Sequence, residues 1–184
     1  MIKKLLSIFK HRMRCEIQIE KLVKDGLKVG KNFRFNEFCT IDPSHCWLIE
    51  IGDNVLFAPK VHVLAHDAST WNDTGYSRIA PVKIGNNVFV GANSIILPGV
   101  VLGDDVVVGA GSVVTKSFPS NCVIAGNPAK IICSHDEFIN RHLDNQKVKP
   151  TYSKEYTKNN PNLTDEMKQE MKKAIGENGF GYVE

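Results

Sequence analysis

A six-residue period governs the middle of the chain. From Ile84 onward an aliphatic residue returns at each sixth position, in the order Ile84, Val90, Ile96, Leu102, Val108 and Val114. Four positions after each of these stands a mostly small or β-branched residue, which is Val88, Ser94, Val100, Val106, Ser112 or Phe118. Such a period matches neither an amphipathic helix nor an alternating strand. It predicts a coil of short strands joined by tight corners and stacked at about 4.8 Å into parallel sheets.

The same frame extends upstream with one irregularity. It is clear from Ile51, in "IGDNVL" and "FAPKVH", and looser from Val29, while the step from Ile41 to Ile51 is ten residues instead of six. An ordinary parallel α/β sheet would need helical segments of about a dozen residues between its strands. The sequence offers none between Ile84 and Pro119. The chain is therefore predicted to be mainly β.

A longer interruption follows His66. Counting in sixes from Val63 places the next aliphatic residue at position 69, but the frame resumes at Ile84, so fifteen extra residues are looped out. The polar and aromatic side chains of this loop include Asp67, Ser69, Trp71, Asn72, Asp73, Tyr76 and Arg78. Insertions in solenoids lie on one face and often serve binding, and this set suits a carbohydrate or another polyhydroxyl ligand. The composition also fits a solvated loop whose Trp71 packs on a neighbouring chain.

His66 occupies the last regular position before the loop. A rigid coil would hold its backbone while the side chain faces the space under the loop. An imidazole with a pKa near neutrality can act as the general base that activates a hydroxyl or an amine. A single histidine is also commonly structural, and the pattern alone leaves both roles open.

Composition sets wider bounds on the chain. With 184 residues, 42% of them hydrophobic, it is long enough for one buried domain and a tail. The net charge of +3 gives no argument for nucleic-acid binding. Five cysteines without a CxxC pair favour a reducing, cytoplasmic location.

The two ends of the chain are predicted to be helical. The opening "MIKKLLSIFKHRMR" lacks the apolar run of a signal peptide or a membrane span. It could form a short basic helix that touches a membrane or packs on a neighbour, or a frayed surface helix. Further helices are expected from Ser134 and from Thr164 to about Gly176. We therefore predict a helical segment at residues 1–26, a β-helix at 27–133 with the loop at 67–83, and a helical extension at 134–184 that caps the open end.

The repeat region resembles a known family. Its motifs, "IGDNVLFAPKVHVLAHD", a loop, and then "VKIGNNVFVGANSIILPGVVLGDDVVVGAGSVVTKSFPSNCVIAGNPAKII", are similar to the galactoside, maltose and polysaccharide O-acetyltransferases of the hexapeptide-repeat family. The resemblance covers Val29 to Ile132. It implies a left-handed parallel β-helix, a homotrimer with active sites at the subunit interfaces, acetyl-CoA as co-substrate and no required metal.

The resemblance also implies roles for single residues. His66 would be the catalytic base, and the acceptor would contact Asn36 and Asp42. The composition of the loop, and not the resemblance, adds Asp67, Trp71 and Tyr76 as candidate acceptor contacts. The coenzyme A groove would use Phe89, Gly91, Ala92, Ala110, Thr115, Lys116 and Lys130. Where close relatives carry a tryptophan this chain has Phe89. Backbone amides near Gly91 and Ala92 are expected to stabilise the thioester oxyanion.

These features predict an acetyl-CoA-dependent O-acetyltransferase that acts directly on a saccharide hydroxyl in bacterial surface polysaccharide synthesis. An N-acetyltransferase acting on an amino-sugar nucleotide or an antibiotic is the first alternative. A metalloenzyme resembling the γ-class carbonic anhydrases would need His45, His62 and His66 to converge, and their spacings of seventeen and four do not match an eighteen-residue coil. A covalent cysteine mechanism is disfavoured because no cysteine neighbours His66 in the sequence. A non-enzymatic protein that only forms a trimeric platform would not explain why the loop begins directly after His66.

Overall fold

The computed structural model describes residues 18–184, so the predicted basic helix at the N-terminus lies outside the described residues. Of the predicted helical segment 1–26, the structure describes α1 (Ile19–Lys24). The chain then contributes strands to three sheets. The first sheet contains β1 (Lys28–Val29), β4 (Ile49–Ile51), β9 (Val82–Ile84) and β12 (Val101–Leu102). The second contains β2 (Arg34–Phe35), β5 (Leu56–Phe57), β10 (Phe89–Val90), β13 (Val106–Val108), β15 (Cys122–Gly126) and β16 (Ala129–Ser134). The third contains β3 (Thr40–Ile41), β6 (His62–Val63), β11 (Ile95–Ile96) and β14 (Val113–Val114). Apart from a separate pair of strands between β6 and β9, the chain visits these three sheets in rotation from β1 to β14, and neighbouring strands in them are parallel except β15 and β16, which are antiparallel.

The repeat residues form the core of this three-sided coil. All six aliphatic residues from Ile84 to Val114 have at most 3% of their surface exposed. The second column, from Val88 to Phe118, is also buried. Its two serines satisfy their hydroxyls inside, because the Oγ atoms of Ser94 and Ser112 both donate to the carbonyl of Gly109, at 2.9 and 2.6 Å. The prediction of a mainly β fold made of stacked short strands is confirmed.

One corner of the coil is held by a ladder of polar side chains. The ladder residues have φ between 55° and 59°, a region that asparagine and aspartate tolerate better than other residues with a Cβ, and they are Asn32, Asn54, Asn87, Asp105 and Asn121. Each of the first three donates its amide to the next residue of the ladder, at 3.0 to 3.1 Å. The corner thus stacks by its side chains as well as by its backbone.

The frame breaks at the two places that the sequence indicated. Between β3 and β4 the chain adds a short 3₁₀ helix, Cys46–Leu48. Between β6 and β9 it forms an antiparallel pair, β7 (His66–Asp67) with β8 (Arg78–Ile79), and a one-turn helix α2 (Trp71–Thr74) at the tip. Gly75 ends α2 with a positive φ of 72°.

The C-terminal residues form a second compact unit, Glu137–Glu184. Its elements are α3 (His135–Gln146), which begins two residues earlier, β17 (Thr151–Tyr152), a 3₁₀ helix (Lys154–Tyr156), α4 (Asp165–Asn178) and β18 (Tyr182–Val183). Thr164 caps α4 as predicted, by accepting from the Met167 amide. The helix ends at Asn178, two residues beyond the predicted end at about Gly176, and Gly179 with its φ of 80° breaks the turn. Within residues 18–184, no helix has the length and apolarity to cross a membrane.

Candidate active site

His66 is bound to a buried carboxylate. Its Nδ1 lies 2.5 Å from Oδ2 of Asp42, whose side chain is wholly buried, whereas 34% of the His66 side chain is exposed. Asp42 directly follows β3, and His66 opens β7 one coil later. The Ile41↔Val63 pairing of β3 with β6 stacks these two chain segments.

Asp42 is held by four hydrogen bonds. Its Oδ1 accepts from the amides of Ser44 and His45, at 3.0 and 3.3 Å. Its Oδ2 accepts from the Ala65 amide at 2.9 Å and contacts the imidazole of His66. Burial alone would raise the pKa of Asp42, but the hydrogen bonds from His66, Ala65 and Ser44 outweigh it and hold the pKa below its ordinary value. The group is therefore a carboxylate at neutral pH.

This carboxylate fixes the state of the His66 imidazole. Because Asp42 carries no proton, Nδ1 of His66 must donate the hydrogen bond, which leaves the lone pair of neutral His66 on Nε2. A nitrogen with a lone pair on a half-exposed side chain can accept a proton from a hydroxyl or an amine. The arrangement supplies a base and the group that orients it.

The other predicted acceptor residues are placed less closely. The side chain of Asn36 donates to the Phe57 carbonyl at 3.3 Å, one coil away. Asp67 accepts from the Ser69 amide at 2.9 Å, and this bond lowers the pKa of its carboxyl. Trp71 and Tyr76 are 57% and 77% exposed. Asp42 itself has no exposed surface, so it contacts His66 instead of facing an acceptor.

His45 is a neighbour of His66 that the sequence reasoning did not place there. The ring centroids of the two histidines are 5.3 Å apart, and the Trp47 ring centroid is also 5.3 Å from that of His45. His62, the third histidine that a metalloenzyme of this fold would need, lies in β6, where it pairs with Thr40 and Ile95. The sequence feature that could have indicated His45 is the ten-residue step from Ile41 to Ile51, because His45 lies among its extra residues.

The predicted coenzyme residues lie at several places on the coil. Gly91 and Ala92 stack on Ala110, since the Gly111 amide donates to the Ala92 carbonyl at 2.7 Å. A Cβ at Gly91 would lie 2.5 Å from the Ala110 nitrogen, so this corner has no room for a larger residue. Phe89 is partly exposed on β10, next to Val107 of β13. The remaining three are exposed: Thr115 and Lys116 follow β14, and Lys130 lies in β16.

One expectation at this corner is wrong. The Gly91 amide, predicted as an oxyanion donor, donates to the Val108 carbonyl at 2.8 Å. This backbone hydrogen bond joins neighbouring coils and belongs to the parallel pairing of β10 with β13. The Ala92 amide stays a predicted donor to the thioester oxyanion.

Three of the four cysteines among residues 18–184 lie in the core. Cys39, Cys46 and Cys122 are buried. Burial raises the pKa of the Cys39 and Cys122 thiols, which disfavours the thiolate form that a nucleophile needs.

Comparison with known proteins places the chain in a family. Residues 81–116 match the family described as "Hexapeptide repeat of succinyl-transferase". Protein CapG of Staphylococcus aureus is 40% identical over 147 residues, which are 76% of this chain and 84% of that protein. Galactoside O-acetyltransferase of Escherichia coli (strain K12) is 40% identical over 113 residues, 58% of this chain and 53% of the relative, so the chain spans about half of that enzyme.

A solved structure gives the same result. The structure of a galactoside acetyltransferase in complex with coenzyme A aligns with a TM-score of 0.52 and 30% identity, over 66% of this chain and 72% of that one. The segment that matches the family description, residues 81–116, contains the six buried aliphatic residues from Ile84 to Val114. The chain therefore belongs to the hexapeptide-repeat acetyltransferases.

Proposed function

We propose that the protein transfers the acetyl group of acetyl-CoA directly to a hydroxyl of a saccharide, with His66 as the general base. The observation that carries this proposal is the Asp42–His66 pair at the mouth of the inserted loop. Relatives whose names specify acetyl transfer to a galactoside, one of them solved with coenzyme A, support both the donor and the acceptor class.

The chemistry needs little beyond positioning and one proton transfer. The thioester is already activated, so the enzyme must place a hydroxyl within attack distance and remove its proton as the new bond forms. Nε2 of His66 accepts that proton, and the resulting imidazolium is stabilised by the Asp42 carboxylate on Nδ1. The proton then passes to the departing coenzyme thiolate. A base of this kind contributes about 10²- to 10⁴-fold to the rate.

The assembly of the protein is part of the same proposal. The family resemblance supports a left-handed coil and a homotrimer in which a neighbouring subunit completes each site. An apolar outward row on the second sheet, Leu56, Phe89 and Val107, offers a surface for such contacts. The groove for acetyl-CoA would then run past Gly91, Ala92, Ala110 and the lysines at 116 and 130.

The natural acceptor is proposed to be a building block of a bacterial surface polysaccharide, in the cytoplasm. An amine acceptor, on an amino-sugar nucleotide or an antibiotic, is the second candidate, because the same lone pair on His66 would serve an amine. The two are distinguished by assaying thiol release from acetyl-CoA against neutral sugars, nucleotide sugars and amino sugars. Turnover with amines alone would favour the second candidate.

The base is tested with a matched pair of histidine variants. His66→Ala should lower kcat by about 10²- to 10⁴-fold while acetyl-CoA affinity stays close to that of the wild type. His62→Gln, four residues away on β6, is the control and should keep its kcat. Equal turnover by His66→Ala and the wild type would remove His66 from its role. Failure to bind acetyl-CoA in calorimetry would contradict the whole proposal.

A further inference from the structure

The imidazole of His45 carries an unsatisfied nitrogen beside the base. Its Nδ1 is buried and has no hydrogen-bond partner within the described part of the chain. The Asp42 carboxylate accepts from the His45 amide, and this bond fixes the backbone just before the 3₁₀ helix at Cys46–Leu48. A buried polar atom without a partner loses its hydration without compensation. It is therefore a position where a ligand would be bound favourably.

Three side chains that can ligate a metal lie close together around the base. Asp42, His45 and His66 each offer one ligand atom, and these atoms lie within 4.8 Å of one another. In a tetrahedral zinc site with metal–nitrogen bonds of about 2.0–2.1 Å, two imidazole centroids lie about 5.2 Å apart and the ligand atoms about 3.4 Å apart. The centroids of His45 and His66 are already 5.3 Å apart. Small side-chain rotations would bring the ligand atoms to this spacing: Nδ1 of His66 and Oδ2 of Asp42, now 2.5 Å apart, must separate, and the longer distances of up to 4.8 Å must shorten.

We propose that Asp42, His45 and His66 form a binding site for a divalent transition metal of the zinc class. Two imidazoles and one carboxylate are a ligand set that zinc accepts, with water in the fourth position. Nδ1 of His66 gives up its proton to solvent and binds the metal in its place, while Oδ2 of Asp42 keeps the hydrogen bond from the Ala65 amide. The exposed part of the His66 side chain provides the entry path.

Metal binding and base catalysis exclude each other at this site. As a base, His66 carries its proton on Nδ1 and its lone pair on Nε2. As a metal ligand through Nδ1, the neutral ring must carry its proton on Nε2, where no lone pair is left for the acceptor hydroxyl. Bound metal therefore switches acetyl transfer off. This inhibitory consequence depends on the proposed function, whereas the binding site itself does not.

The binding test uses untagged protein freed of metal, with Zn²⁺ for calorimetry and Co²⁺ as a spectroscopic probe. We expect one ion per chain and the visible absorption of tetrahedral Co²⁺ without the charge-transfer band that thiolate ligands add. His45→Phe keeps a ring at this position but removes both nitrogens, and it should weaken binding at least ~100-fold. His62→Gln is the matched control and should bind as the wild type does. No binding, or equal binding by His45→Phe, would overturn the site.

The inhibition test compares acetyl transfer to a fixed acceptor with and without Zn²⁺, following the acetylated product because thiol reagents chelate the metal. Wild-type activity should fall with the same Zn²⁺ dependence that calorimetry gives, and the His45→Phe rate should be insensitive over that range. If the protein binds Zn²⁺ through His45 yet keeps its full rate, the switch is overturned, and with it either Nδ1 ligation or the role of His66 as base. The binding result is independent of that outcome, so the two failures can be told apart.

Discussion

The Asp42→Asn substitution tests the orienting role of the carboxylate most sharply. An asparagine has nearly the same shape, but it offers one accepting oxygen and one donating NH₂ group. Asp42 accepts two bonds on each oxygen, from Ser44 and His45 on one and from Ala65 and His66 on the other. The new amide must therefore point its NH₂ group at one of these two pairs.

The geometry decides between the two orientations. With the NH₂ group at the Oδ1 position it faces two backbone N–H donors, of Ser44 and His45, and neither can change. At the Oδ2 position it faces one backbone donor, Ala65, and one imidazole nitrogen that can become an acceptor. The second orientation leaves a single unsatisfied amide, at about 1–3 kcal/mol of stability. It also forces His66 into the tautomer with its proton on Nε2.

We therefore expect Asp42→Asn to lose most of the base contribution. The value of kcat should fall by about 10²- to 10⁴-fold, with the KM for acetyl-CoA little changed. The assay is steady-state kinetics on protein shown to be folded by thermal unfolding, and histidine ¹⁵N chemical shifts report the tautomer directly. A variant that keeps kcat within about threefold of the wild type, or whose His66 still carries its proton on Nδ1, would refute the reasoning.

Two further predictions concern other parts of the chain. Lys116→Ala should raise the Kd for acetyl-CoA by about 3- to 10-fold with kcat nearly unchanged, because one phosphate contact is lost; Lys31→Ala is the control, and equal effects would remove Lys116 from the groove. Thr164→Ala should destabilise the C-terminal unit by about 0.5–2 kcal/mol, since Thr164 caps α4 through the Met167 amide. Thr164→Ser should restore most of that loss in a chemical unfolding experiment, and an unaffected Thr164→Ala variant would contradict the cap.

The fold was predictable because the repeat places an aliphatic residue at the same inward-facing position of every coil. A residue such as Val90 or Val108 must be buried wherever the six-residue frame holds, and both are. The site was only partly predictable, because it lies where the frame fails. His66 could be singled out as the last regular residue, but neither the contact with Asp42 nor the approach of His45 follows from a uniform period.

The missing information was the length of one coil. Without insertions, stacked residues are eighteen positions apart, but the ten-residue step makes the Ile41↔Val63 pairing twenty-two positions apart. The spacing from His45 to His66 is twenty-one, and that from Asp42 to His66 is twenty-four, so both lie close to the real coil length. Neither of these spacings matches a coil of eighteen residues. Residues that converge on one site can therefore be recognised from sequence when their spacing is compared with the actual length of each coil, including its insertions.

The same geometry separates the base from the loop that follows it. Asp42 and His66 are positioned by strands β3, β6 and β7, whereas the tip of the loop is held by its own bonds. There the Thr70 hydroxyl donates to the Tyr76 carbonyl and the Thr74 hydroxyl donates to the Thr70 carbonyl, both at 2.9 Å. Changes at the exposed tip should alter which acceptor is bound without moving the base. Substitutions at Trp71 should therefore change the KM for the acceptor and leave kcat unchanged, because Trp71 takes no part in the hydrogen bonds of Asp42 that fix His66.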